Sequence, residues 1–192
     1  GFQGYLRLSP NDGLGLDLAH SAIENFGEQR YRLQYGRRLG AKVLLGGSVD
    51  VLRVSAQEYG SATAATFGLS VLANPIPGVW VGARVQNPIQ VNIAGETVPS
   101  VLRIGAAWKA SEALILLTEV EKDIDRPSQV KAGLEYRPLQ LLVLRLGLRT
   151  DPARLGFGAG IRFKNGLHFD LGSEWHPTLG LTPAAMLVWR KA

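Results

Sequence analysis

Seven or more stretches of this chain alternate apolar and polar residues over about eight to ten positions, and Arg, Lys, Glu and Gly fill the polar places. The clearest runs from Val130 to Arg137. Val130, Ala132, Leu134 and Tyr136 fall on one face, and Lys131, Gly133, Glu135 and Arg137 on the other. Successive side chains of a strand point to opposite faces, so such a ribbon has one side suited to hydrocarbon and one suited to water. A soluble sandwich would instead bury the apolar side against a second sheet, and the number, length and content of the strands distinguish the two.

Other classes drop out quickly. No window approaches 18 uninterrupted apolar residues, and a mean hydropathy of +0.05 is too low for a bundle of spanning helices. With no cysteine, neither disulfides nor cysteine-ligated metal enter the fold. Gly1 opens the chain without a basic segment leading into an apolar run, so a mature or trimmed form is expected. The net charge of +5 is spread through the alternating segments instead of gathering in a stripe, and nucleic acid is not an expected partner.

The expected fold is all-β: a single domain, residues 1–192, forming an antiparallel transmembrane β-barrel of about twelve strands (range 12 to 14) in the bacterial outer membrane, in contact with its lipid. Strands are read at 13–20, 29–38, 42–54, 63–73, 79–86, 100–109, 112–122, 128–137, 141–149, 155–163, 167–175 and 182–190. Residues 1–12 leave open an extra strand or an inward-tucked segment. Short turns at Leu39-Gly40, Asn74 to Gly78, Ala110-Ser111, Pro138-Leu139 and Asn165-Gly166 alternate with longer connectors at Ser21 to Glu28, Ser55 to Ala62, Asn87 to Pro99, Asp123 to Pro127 and His176 to Leu181. Outer-membrane barrels alternate their connectors in the same way, and the Lys164-Asn165-Gly166 hairpin suits a type I′ turn. Tyr35, Tyr59, Trp80, Trp108, Tyr136, Phe163, Trp175 and Trp189 lie mostly near strand ends, as an interfacial girdle requires.

The candidate site is the polar face, read as the lining of a lumen. Arg30, Arg32, Arg84, Arg103, Lys131, Arg137, Arg145, Arg149 and Arg162 are set against Asp17, Asp50, Glu119, Glu121, Glu135, Asp170 and Glu174, with His168 beside them. The nearly matched charges predict ion pairs closing the lumen; an anion-preferring lining is the alternative. Gly68, Gly82, Gly105, Gly133, Gly147, Gly158 and Gly172 place one glycine per strand on this face, where large neighbours need room. His168-Phe169-Asp170 puts His and Asp on one face, but Ser173 is on the other, and no metal-binding His-Glu-x-x-His is present. Gly156-x-Gly158-x-Gly160 continues into a strand and lacks the helix a phosphate-binding loop needs. No catalytic residue, metal or cofactor is expected.

The run from Thr118 to Pro138, then Leu144-Arg-Leu-Gly-Leu148 and Leu155-Gly-Phe-Gly-Ala-Gly-Ile-Arg162, resembles the PorV/PorQ-type outer-membrane barrels. Tyr35-Gly-Arg-Arg-Leu-Gly40, Gly82-Ala-Arg-Val-Gln-Asn-Pro88 and His176-Pro-Thr-Leu-Gly180 agree with it. The resemblance covers residues 29–192; the family's Gly-Gly-Ala-rich opening has no counterpart in residues 1–28. It implies a FadL-related barrel serving as a scaffold or substrate-handling subunit of a larger membrane protein complex in type IX secretion. The inward arginines and the FadL kinship also admit a FadL-like or porin-like transporter of small anionic or amphipathic solutes.

Overall fold

The computed structural model describes residues 1–57, 60–163 and 166–189. Tyr59, the Lys164-Asn165 part of the expected hairpin and Arg190 lie outside them. Among the described residues there are fifteen strands and no helix. In chain order they are Phe2–Arg7 (β1), Asp12–Ile23 (β2), Phe26–Leu39 (β3), Val43–Ala56 (β4), Gly60–Ile76 (β5), Val79–Gln86 (β6), Asn92–Ile93 (β7) and Glu96–Thr97 (β8). There follow Val101–Lys109 (β9), Leu114–Asp123 (β10), Gln129–Tyr136 (β11), Leu142–Arg149 (β12), Arg154–Arg162 (β13), Leu167–His176 (β14) and Gly180–Trp189 (β15). Thirteen form one sheet in sequence order, and β7 and β8 make a small separate hairpin between β6 and β9. Residues 2–7 thus add a strand, paired antiparallel to β2 from Phe2↔Leu18 to Arg7↔Gly13.

The chain divides into two compact units. Unit 1 comprises Gly1–Pro75, Val81–Ile104 and Lys122–Arg126; unit 2 comprises Ile76–Trp80, Gly105–Glu121 and Pro127–Ala192. In unit 1 the long ribbons β2 to β5 keep unbroken register, with Asp17↔Arg32, Arg32↔Asp50 and Asp50↔Thr66 side by side on one face. In unit 2, strands β10 to β15 do the same, with Glu119↔Lys131, Glu135↔Arg145 and Gly158↔Gly172 as rungs.

Burial is inverted relative to a protein that folds in water. Asp50 is 0% exposed and Arg32 7%, while their immediate neighbours Val49 and Leu33 are 55% and 54% exposed. Among the described residues only Val143 is a fully buried hydrophobic side chain. The faces carrying Leu33, Val49 and Leu69 in unit 1 and Leu146, Phe157 and Leu171 in unit 2 are each more exposed and more apolar than the surface of a soluble monomer, and among the described residues no second sheet covers either within its own unit. Hydrocarbon is the medium that matches them.

Several connectors are shorter than the sequence suggests. Strands β2 and β3 continue to Ile23 and from Phe26, leaving only Glu24-Asn25 between them. Glu24 adopts a positive φ of 46°, so the turn forms without the Gly or Pro that would have marked it. Similarly, β4 reaches Ala56 and β5 begins at Gly60, and β14 and β15 leave only residues 177–179. β5 runs through Pro75 to Ile76, and the turn is Pro77-Gly78, where Gly78 supplies a φ of 82°. The stretch 87–100 remains the longest connector.

Candidate functional site

The polar face of unit 1 is built from alternate positions of β2, β3, β4 and β6. Arg32 pairs with Asp50, whose other carboxylate oxygen accepts a bond from Ser48 Oγ at 3.1 Å. Asp17 accepts from Gln3 Nε2 at 2.8 Å and meets Arg30 Nη2 at 3.4 Å. Arg84 on β6 lies near enough to Arg32, Asp50, Arg103 and Arg30 for their charges to act on it. Of these side chains Ser48 and Arg84 reach a cavity of about 480 Å³, whose wall also includes Ser70, Tyr5, Leu44 and Leu72. Its volume falls within the range of small-molecule sites.

The polar face of unit 2 carries a ladder of ion pairs. Lys131 Nζ bridges Glu119 at 2.9 Å and Glu121 at 2.6 Å. Glu135 collects Arg137 at 2.5 Å, Arg145 at 2.9 Å and Arg162 at 3.5 Å, and Arg145 passes on to Asp170. Glu174 is shared by Arg154 at 2.5 Å and Arg149 at 3.4 Å. Gly160 makes one of these contacts possible: the Asp170 carboxylate lies where its Cβ would be, with Arg145 Nη1 at 3.3 Å. These side chains are partly open to solvent, so each pair contributes on the order of 1 kcal/mol or less. Beside the ladder is a cavity of about 650 Å³, lined by Leu117, Leu134, Met186 and Ala184 as well as Glu135 and Arg145.

The structure therefore divides the sequence candidates between two groups. Arg30, Arg32, Arg84 and Arg103 belong to unit 1; Lys131, Glu135, Arg145, Arg162, His168, Asp170 and Glu174 to unit 2. His168 stands opposite Arg162 and Val188 at one end of the ladder. Among the described residues no cluster of three or more His, Cys, Asp or Glu could hold a metal ion. In the turn after β9, exposed Glu112 accepts from the ammonium of Lys109, the last residue of that strand, at 2.7 Å, which holds its carboxyl below the usual carboxylate range.

Sequence reasoning missed the buried polar knot at the end of β6. Asn87, 1% exposed, accepts Thr66 Oγ1 at 2.7 Å and the Val91 N–H at 3.2 Å, and donates to the Val98 carbonyl at 2.7 Å. It thereby pins both ends of the 87–100 connector to unit 1. Its φ of 52° is one that Asn tolerates, but Asn87-Pro88 after a strand reads only as a loop opening. Gln3 and Arg154 also escaped notice; Gln3 lay in an unassigned segment and Arg154 in an apparent gap between strands.

No family model matches the chain, and no curated protein matches it in sequence. Solved structures do. The Pseudomonas putida toluene transporter TodX matches with a TM-score of 0.70 at 12% identity over 96% of this chain and 79% of that one. The Ralstonia pickettii toluene transporter TbuX gives 0.68 at 12% over 95% and 78%, and a Pseudomonas aeruginosa FadL homologue 0.67 at 11% over 90% and 68%. The fold is that of the bacterial outer-membrane β-barrels, and the exposed apolar face is the one such a protein turns to lipid. Within that class the structure resembles the FadL-type transporters. This agrees with the FadL kinship implied by the sequence; nothing in these neighbours points to PorV/PorQ or to type IX secretion. They are transporters, not enzymes, in keeping with a sequence that offers no catalytic constellation.

Proposed function

We propose that this protein admits small hydrophobic or amphipathic ring-bearing molecules across the outer membrane. The observation that carries the reading is the pairing of a FadL-type transporter fold with a partly apolar, ligand-sized cavity on the polar face of unit 1. A solute entering there would meet Leu44, Leu72 and Tyr5 beside Ser48, Ser70 and Arg84, a wall able to hold a ring and a polar substituent together. Bacteria with an intact outer membrane that express the protein should accumulate toluene faster than the same cells without it; equal rates at equal surface expression would overturn the proposal.

A second reading, a closed scaffold within a larger membrane protein complex, draws support from the unit 2 ladder, which satisfies charges that an open pathway would leave to water. Steady open currents in planar bilayers would rule it out. So would recovery of the protein alone after extraction in mild detergent.

A further inference from the structure

Charge on the polar face of unit 1 is unevenly matched. Asp17 and Asp50 answer Arg30 and Arg32, and their remaining capacity is taken by Gln3 and Ser48. Arg84 has no ion pair or hydrogen bond to any described residue, although it stands in the field of Arg32, Arg103 and Arg30 with only Asp50 of opposite sign acting on it. The pairing of Arg30 and Arg32 is itself incomplete: Arg30 Nε and Arg32 Nη2 are shut off from solvent with no acceptor among the described residues. Arg32 is 7% exposed, so its charge acts in a region of weak screening. Among the described residues Arg84 is thus left without a counter-ion of its own.

The surroundings of Arg84 say what kind. It lies in the wall of the 480 Å³ cavity, where the neighbouring surfaces are Leu44, Leu72 and Tyr5 together with the hydroxyls of Ser48 and Ser70. A hydrated inorganic ion would gain nothing from leucine walls. A planar carboxylate matches the guanidinium fork bidentately, and an attached ring fills apolar space of this size. Gly46 and Gly68 keep the floor open: a Cβ on Gly46 would sit 2.5 Å from Ser70 Oγ, and one on Gly68 2.8 Å from Ser48 Oγ.

We propose that Arg84 seats the carboxylate of a small aromatic acid whose ring occupies the apolar part of the unit 1 cavity. The pathway then accepts ring-bearing monoanions as well as neutral rings. This inference rests on the transporter reading, and the two fail differently.

The test is calorimetric titration of the purified full-length protein in detergent with benzoate and, as its neutral counterpart, benzyl alcohol. Both should bind. Arg84→Gln should weaken benzoate tenfold or more and leave benzyl alcohol within twofold. Arg84→Lys, which keeps the charge but not the fork, should lose benzoate several-fold, and it carries the test where Arg84→Gln does not fold. Equal benzoate affinity in the wild type and a folded variant overturns the inference, as does binding of benzyl alcohol without benzoate. Chloride competing with benzoate on equal terms overturns it too, by removing the role of the ring. Binding of neither ligand sinks the transporter reading and the inference with it.

Discussion

At the residue scale the fold turns on a few side chains whose surroundings leave them no alternative partner. Asp50 is fully buried against Arg32 and Ser48. Removing one member of such a pair strands the other charge away from water, so Asp50→Ala should cost about 3–5 kcal/mol, measured by urea unfolding in detergent or bilayers. The double substitution Arg32→Met with Asp50→Leu should recover most of that loss, because the pair's own net contribution is small once its desolvation is counted. An undiminished stability in Asp50→Ala would show that the pair is solvated after all. Gly160 provides a steric counterpart. An alanine there would crowd the Asp170 carboxylate off Arg145, and because the steric cost adds to the small value of the pair, a loss of about 1–3 kcal/mol by the same assay is expected.

At the scale of the elements, the connector 87–100 hangs from Asn87. Asn87→Ala would orphan Thr66 Oγ1, the Val91 N–H and the Val98 carbonyl together. The expected result is a loss of about 1–3 kcal/mol and faster proteolytic cleavage within 87–100, with the sheet's circular dichroism retained. Unchanged cleavage would mean that the β7–β8 hairpin holds the loop without Asn87. The strand faces themselves were legible in the sequence. Period-two alternation placed Arg32 and Asp50 opposite Leu33 and Val49 correctly, because a one-residue error would flip a whole strand. The connectors at 21–28 and 55–62 were legible in place but not in length: strand pairing runs on to Ile23 and Ala56 and resumes at Phe26 and Gly60, through residues with weak turn chemistry. Asn87 was hidden for a different reason: its partners lie 4 to 21 residues away, and only tertiary structure brings them together. Arg84 could be assigned a face from its strand, but its lack of a carboxylate partner depends on register across several strands.

For the whole molecule, the decisive relation is between the exposed apolar face and its solvent. Trp80, Trp108, Trp175 and Trp189 are 37–71% exposed, which in water would be an unfavourable surface and in a bilayer is an anchor. Reconstituted into vesicles containing brominated lipids, the protein should therefore lose much of its tryptophan fluorescence, since direct contact with bromine quenches the indole; full retention of emission would mean that protein, not lipid, covers those rings. The same relation sets the cost of charge on each face. Leu146, 45% exposed in the middle of β12, lies on the apolar face, and Leu146→Arg should cost about 2–4 kcal/mol when folding is followed in bilayers. Thr182, opposite Glu174 on the polar face of β15, should accept Thr182→Lys at less than about 1 kcal/mol, because the new ammonium stays on the charged side of the sheet. Folding in detergent alone would blur the contrast, as a micelle deforms around a charge more readily than a bilayer does. Equal costs at the two positions in bilayers would remove the asymmetry between faces on which the outer-membrane assignment depends.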